Sequence, residues 1–356
     1  MSRLFSPIMI RDLVVKNRIW IAPMCQYACT GSDGIVTQWH LAHYGQRAIG
    51  GAGLIIAEAT AVTPEGRISA WDTGLWSDDQ IEPWLEVTEF VKAQGARFGV
   101  QLAHAGRKAS TYPDWVKSGS MLEADGGWQP VGPGSEAFEG YVAPRELTTA
   151  EVAQFAQKFA SAAERAVRAG FEFVEIHAAH GYLLHEFLSP ATNHRGDQFG
   201  GSLENRARLL LDVVRAVRAT VPNGMPIFVR FSASDWADTG WNEEEAATVA
   251  EWCIELGVDL IDVSSGGLLA GVKIPVGPGY QVPLAEHIAH KVGKPVAAVG
   301  LITEAKQAEQ ILESGEVSVI LIGRAALRDP FWPLRAAAEL GVDTIWPVRY
   351  QRAKFN

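Results

Sequence analysis

The chain has 356 residues, 47% hydrophobic and 20% charged, the composition of an ordinary globular protein with enough apolar mass for its own core. A net charge of -10 with no Lys/Arg block excludes sequence-independent nucleic-acid binding. No signal peptide or membrane span is expected, because Arg3, Arg11 and Asp12 interrupt the N-terminus and no apolar run reaches about 18 residues.

The 3 cysteines, Cys25, Cys29 and Cys253, form an odd set without an export signal, which points to the cytoplasm. Cys25-x3-Cys29 alone is too small a set for zinc, and no metal site is expected.

Taken in chain order, apolar runs alternate with helix-period stretches. A strand at 18–22 precedes a helix at 38–49. Strand 54–59 precedes helix 79–94, and its apolar run carries Glu58. Strand 97–102 precedes helix 149–169, which opens on a capping box, Thr148 to Glu151. Strand 173–177 precedes helix 203–220, and strand 227–231 precedes helix 243–256. Strand 260–264 precedes helix 284–292, strand 296–299 precedes helix 304–314, and strand 319–322 precedes a last helix at 332–340. Gly170 and Gly257 stand where left-handed C-terminal caps are favoured.

Nearly continuous apolar strands suit a parallel sheet buried on both faces. Eight such units predict an α/β fold, a single (β/α)8 TIM barrel spanning 1–356; a doubly wound open sheet is the competing topology. One connection after the third strand, residues 105–147, is far too long for a plain loop. It reads as a capping excursion or lid, or as a tolerated surface insertion.

In a barrel, chemistry gathers at the C-terminal strand ends. There the fourth strand runs into His177-Ala-Ala-His180-Gly-Tyr182. Two imidazoles three apart can aim N–H groups at one carbonyl oxygen, with Tyr182 as general acid. The plainer reading is a pair of structural histidines; a metal pair is a third, lacking a third ligand. Arg230, ending the fifth strand, needs an anionic partner, either a ligand or a salt bridge to another strand end such as Glu175. Gly300, Gly323 and Arg324 follow strands seven and eight, where barrels often bind phosphate. Cys25 reads as a small buried residue, a nucleophile or a contact to a redox cofactor. Gln101 reads as a strand-end amide or as a reader of a heterocycle's polar edge. Among 12 tryptophans, Trp71, Trp76, Trp115 and Trp128 are candidates for shaping a pocket.

These residues, in this order, resemble the Old Yellow Enzyme family of flavoprotein reductases, more narrowly its bacterial subclass. The specific segments are Ala22-Pro-Met-Cys-Gln-Tyr27, Gln101-Leu-Ala-His-Ala-Gly-Arg-Lys108, Glu175-Ile-His-Ala-Ala-His-Gly-Tyr182, and Phe187 to Arg195 continuing through Gly200 to Arg206. The resemblance implies non-covalent FMN, reduced by NADPH or NADH. Pro23, Met24 and Ala59 would flank the flavin, with Cys25 beside it tuning potential rather than acting as nucleophile. Gln101 and Arg230 would bind its pyrimidine edge, and Gly300, Gly323 and Arg324 its phosphate.

It also implies an ene-reductase of α,β-unsaturated carbonyl compounds. His177 and His180 would bind the carbonyl oxygen, and Tyr27 would contact the substrate. Hydride would pass from FMN N5 to the β-carbon and a proton from Tyr182 to the α-carbon. Arg352, in a C-terminal tail at 341–356, would reach the neighbouring subunit's site in a homodimer or homotetramer. Phe199 departs from the family pattern, which usually has tyrosine there. A flavin-free barrel using a metal or a Schiff base, as lyase or hydrolase, is the alternative.

Overall fold

The structure, a computed structural model, describes residues 2–355. Eight strands form a closed barrel: Ile19–Ile21, Leu54–Ala61, Arg97–Ala103, Val174–Ala178, Ile227–Ser232, Leu260–Ser264, Val296–Ala298 and Val319–Ile322. All pair in parallel with their sequence neighbours, and Ile320 opposite Ile19 closes the ring. The open-sheet topology is thereby excluded, and every strand lies within a residue or two of its predicted place.

Helices follow the strands and bury one face each. In Thr149–Arg168 the capping box forms as expected, Thr148 and Glu151 satisfying each other's main-chain N–H groups. Its buried stripe, Val152, Phe155, Phe159, Ala163 and Ala166, follows the helical period and meets the outer barrel face. Gly170 and Gly257 take positive φ, at 80° and 98°. The second helix, Ile81–Ala93, is preceded by a separate 3-10 turn, and the sixth starts earlier than expected, at Val282.

Inside the barrel Trp20, Phe173 and Phe228 stack at 5.7 and 4.6 Å between centroids. Burial of each such side chain contributes roughly 1.5–3 kcal/mol. They pack with Leu54, Leu260 and Val319, all at first strand positions, and with Ile10, Leu13 and Val15. Those last three come from a hairpin, Ile8–Ile10 with Leu13–Val15, that stoppers the N-terminal mouth. The hairpin was not anticipated, because three-residue strands carry too few positions for a period to be read. The opposite mouth is left for chemistry.

The 105–147 excursion is tied to that mouth. Arg107 donates through its main-chain N to Glu186 Oε1 (2.9 Å) and through Nη2 to the Leu268 carbonyl (2.7 Å). Lys108 Nζ donates to the carbonyls of His180 (2.9 Å) and Gly267 (3.0 Å). Trp128 Nε1 donates to the Glu65 carbonyl (2.8 Å).

Glu186 is fully buried and its Oε2 has no hydrogen-bond partner among the described residues. Burial pushes its carboxyl from 4.5 up to about 8, against the pull of Arg107. The folded chain therefore holds this proton more tightly than the unfolded chain does. Stability from this group falls as pH rises from the unfolded value toward about 8. Glu186→Gln should raise the melting temperature above pH 8 and leave it nearly unchanged near pH 4, followed by circular dichroism. An equal shift at both pH values would show that Glu186 does not carry this linkage.

Candidate active site

The first strand ends in Pro23-Met24-Cys25-Gln26-Tyr27, and this turn is held from beneath by Glu58. The second strand bulges between Ala57 and Ala59, which aims the fully buried Glu58 carboxylate at the turn. Its Oε2 accepts from Gln26 N (2.8 Å) and its Oε1 from the Tyr44 hydroxyl (2.9 Å). Tyr27 takes a left-handed φ of 49°, a strained state for a non-glycine residue that the surroundings must enforce. Cys25, Tyr27, Tyr182 and Trp128 pack around Ala59, Ile68, Ala103 and Ala105, so small side chains leave an apolar floor. Burial, then Asp72 and Glu58, push the Cys25 thiol up, which keeps it protonated and poorly nucleophilic.

The fourth strand delivers the histidines. His177 Nε2 and His180 Nδ1 face each other at 3.4 Å. The Tyr182 ring stands 5.1 Å from the His177 ring, edge to face. His180 Nε2 lies 2.8 Å from Ser264 Oγ, a partner from the sixth strand that sequence reasoning missed. Its only signal was a pair of serines at a strand end. Burial, and then Arg230, hold both imidazoles well below their ordinary range, so each is neutral and each has one N–H to donate. Tyr182 is pushed up, first by burial, and keeps its phenolic proton.

Arg230 has a salt-bridge partner, but it is Asp262 on the adjacent sixth strand, 3.1 Å from Nε, rather than Glu175. Gln101 Nε2 donates to Glu175 Oε1 (2.8 Å), which leaves its amide oxygen as an acceptor. Burial raises both acids, Asp262 to about 6 and Glu175 well above the carboxylate range, with Asp262 as the second cause for Glu175. Glu175 Oε2 and both Asp262 oxygens have no hydrogen-bond donor among the described residues. A proton held between the two carboxyls would satisfy one oxygen on each and leave one anion for Arg230.

From Arg230 a cavity runs past Ser264 and Gln281 to Gly300, Gly323 and Arg324. Gly300 has φ 126°, and a Cβ there would lie 3.0 Å from Gln281 Nε2. Gly323 immediately precedes the short helix Arg324–Arg328, which the sequence reading did not expect. One end of the cavity offers the Arg230 guanidinium, the Gln281 amide lies along it, and the other end offers bare main chain with Arg324 and Arg328. That donor set fits FMN, with Gln101 and Arg230 suited to the ring edge and Gly300, Gly323 and Arg324 to the phosphate.

Thus Pro23, Met24, Cys25, Tyr27, Ala59, Gln101, His177, His180, Tyr182 and Arg230 gather at one barrel mouth. Arg352 is not among them: it is exposed on the C-terminal 3-10 segment Val348–Ala353. Phe199 is buried and packs edge-on against Phe187, so the family's tyrosine position is filled here by apolar contact. Trp128 joins the pocket wall, and exposed Trp115 lies 5.5 Å from the Tyr27 ring.

Residues 3–342 match the family described as NADH:flavin oxidoreductase / NADH oxidase. The chain is 48% identical over 349 residues to an NADPH dehydrogenase of Geobacillus thermodenitrificans, covering 98% of each. It is 48% identical over 351 residues to one of Bacillus subtilis, again covering 98% of each. Among solved structures it is similar to an old yellow enzyme homologue from Zymomonas mobilis, with TM-score 0.80 and 32% identity over 97% of this chain and 95% of that one. Morphinone reductase matches with TM-score 0.80 and 29% identity over 96% and 90%. No helix among the described residues is long and apolar enough to cross a membrane. The closed parallel barrel, the cavity from Arg230 to Arg324 and these matches lead to one conclusion: the chain belongs to the NADH:flavin oxidoreductase / NADH oxidase family and is an oxidoreductase that works with FMN and NAD(P)H.

Proposed function

We propose that this protein is an ene-reductase, a single FMN-binding domain that acts in the cytoplasm on small α,β-unsaturated carbonyl compounds at the expense of NADPH or NADH. The observation that carries the reading is the 3.4 Å approach of His177 Nε2 to His180 Nδ1 beside the Tyr182 ring. When bound, FMN supplies reversible hydride transfer, which no protein side chain provides.

The side chains do the rest. When Ser264 Oγ turns its one proton from Gln281 Oε1 (3.3 Å) to His180 Nε2 (2.8 Å), His180 presents its N–H at Nδ1, and His177 presents its own at Nε2. A carbonyl oxygen that parts the rings receives both donors. Their hydrogen bonds strengthen as enolate charge develops, so they stabilise the transition state more than the bound substrate. Tyr182, kept protonated by burial, supplies the proton that the α-carbon takes up. The apolar floor around Ala59 and Ala103 favours a flat hydrocarbon skeleton, and Tyr27 bounds it.

The reading extends to assembly. Ile345, Val348, Tyr350 and Phe355 leave the C-terminal tail unusually apolar for a surface, which supports its packing against a second copy in a homodimer or homotetramer. Arg352 would then enter the partner's substrate site.

The first test is rapid-mixing kinetics with NADPH and cyclohexenone. His180→Ala should retain FMN while enone reduction falls roughly 10²-fold, the scale of a lost oxyanion donor; unchanged enone reduction would sink the oxyanion role. Tyr182→Phe should leave reduction by NADPH intact and slow reoxidation by the enone roughly 10²-fold. Equal slowing of both halves would remove Tyr182 from the proton-transfer step. Arg352→Ala should raise KM for the enone more than it lowers kcat, with subunit mass read by light scattering. A monomeric wild-type protein would remove the cross-subunit role.

A further inference from the structure

We infer that His185, braced by Asp235, is a positioning residue that fixes the turn carrying His180 and Tyr182 by accepting the Gly181 main-chain N–H. The inference rests on the proposed role of that turn in holding the substrate. None of the proposed chemistry touches His185 itself.

The need for a brace is visible in the backbone. His180 and Gly181 are successive left-handed residues, with φ of 59° and 73°. For histidine that conformation costs on the order of 1–3 kcal/mol, and it persists only where the surroundings over-determine it. Gly181 admits no side chain, since a Cβ there would lie 2.3 Å from the Gly267 carbonyl oxygen.

Three contacts over-determine the turn. Lys108 Nζ holds the His180 carbonyl (2.9 Å), Ser232 Oγ accepts from His180 N (2.9 Å), and His185 Nδ1 accepts from Gly181 N (3.0 Å). The last contact requires a bare Nδ1, so the ring proton of His185 sits on Nε2. Nε2 stands 3.0 Å from Asp235 Oδ1, in charge contact though off the straight line of an ideal hydrogen bond.

Both side chains are fully buried, His185 on a short helix whose Leu183, Leu184, Phe187 and Leu188 are buried as well, where an apolar residue would cost less. Burial alone would raise Asp235, but His185, Ser189 and the Trp241 N–H outweigh it and hold the carboxyl below its ordinary value. Its Oδ2 accepts from Ser189 Oγ (2.6 Å) and Trp241 N (2.8 Å). Trp241 Nε1 in turn donates to the Ser232 carbonyl (2.7 Å), so the loop after the fifth strand reaches both the His180 and the Gly181 N–H groups. A carboxylate at 235 thus selects the imidazole tautomer that can accept from Gly181.

The test uses the FMN-loaded enzyme and three variants. His185→Asn keeps an amide oxygen near the place of Nδ1 and should retain most of kcat. His185→Leu fills the space without an acceptor and should lower kcat roughly 10- to 100-fold, as for a displaced catalytic group, with FMN content unchanged. Asp235→Asn should match it: Ser189 and Trp241 claim the amide oxygen, the NH2 turns to Nε2, and the ring proton is driven to Nδ1 against Gly181 N–H. A purely space-filling role predicts the reverse order, with leucine tolerated and asparagine not, and that order would overturn the inference. Should the variants fail to fold, 15N-histidine spectra of the wild-type enzyme decide: His185 Nδ1 must be the bare ring nitrogen, and a protonated Nδ1 refutes the proposal. Normal turnover in His180→Ala defeats the proposed function; slow His180→Ala beside fully active His185→Leu defeats only this inference.

Discussion

Closure of the barrel by the pairing of the last strand with the first, Ile320 opposite Ile19, is the constraint from which the site follows. A parallel ring sends every strand out at the same mouth. Eight loops then meet over an area that no open sheet would assemble. The other mouth is stoppered by the N-terminal hairpin, whose Ile10, Leu13 and Val15 complete the aromatic layer of Trp20, Phe173 and Phe228. At the polar end the strained turns at Tyr27 and His180 are held by local contacts, from Glu58 to the first and from Lys108, Ser232 and His185 to the second.

Burial of charge is the second theme. Glu58, Glu175, Glu186, Asp235 and Asp262 are all inside or beneath the mouth, and each has a different solution to the cost of desolvation. Glu58 is surrounded by donors, Asp262 faces Arg230, Glu175 and Asp262 divide a proton, and Asp235 is met by an imidazole and two further donors. Glu186 has the Arg107 main-chain donor on one oxygen, and burial raises it, like Glu58, to about 8, so that both lean toward the neutral form. The same low-dielectric surroundings keep His177 and His180 neutral and Tyr182 protonated. In the proposed chemistry this holds the groups that donate hydrogen bonds to a growing enolate in the donating state before substrate arrives.

The strands were legible because each is an apolar run of the right length, and the capping box at Thr148 was legible because its two members are three residues apart. The histidines, Arg230 and the glycines after strands seven and eight were legible as polar or permissive residues at strand ends. The Arg230 partner was not, since choosing Asp262 over Glu175 depends on the register between the fifth and sixth strands. Ser264 escaped notice for the same reason: a serine at a strand end acquires meaning only when an imidazole from another strand stands 2.8 Å away.

Sequence alone therefore determined the order of elements, the barrel class and the residue types available for chemistry, because these depend on composition, period and position along one segment. Tertiary structure decided which of those residues share a cavity, which nitrogen of His185 accepts a main-chain N–H, and which carboxyls burial pushes toward their neutral form. Those properties arise from distances between side chains far apart in the chain and from the exclusion of water around them. Neither exists until the first and last strands meet.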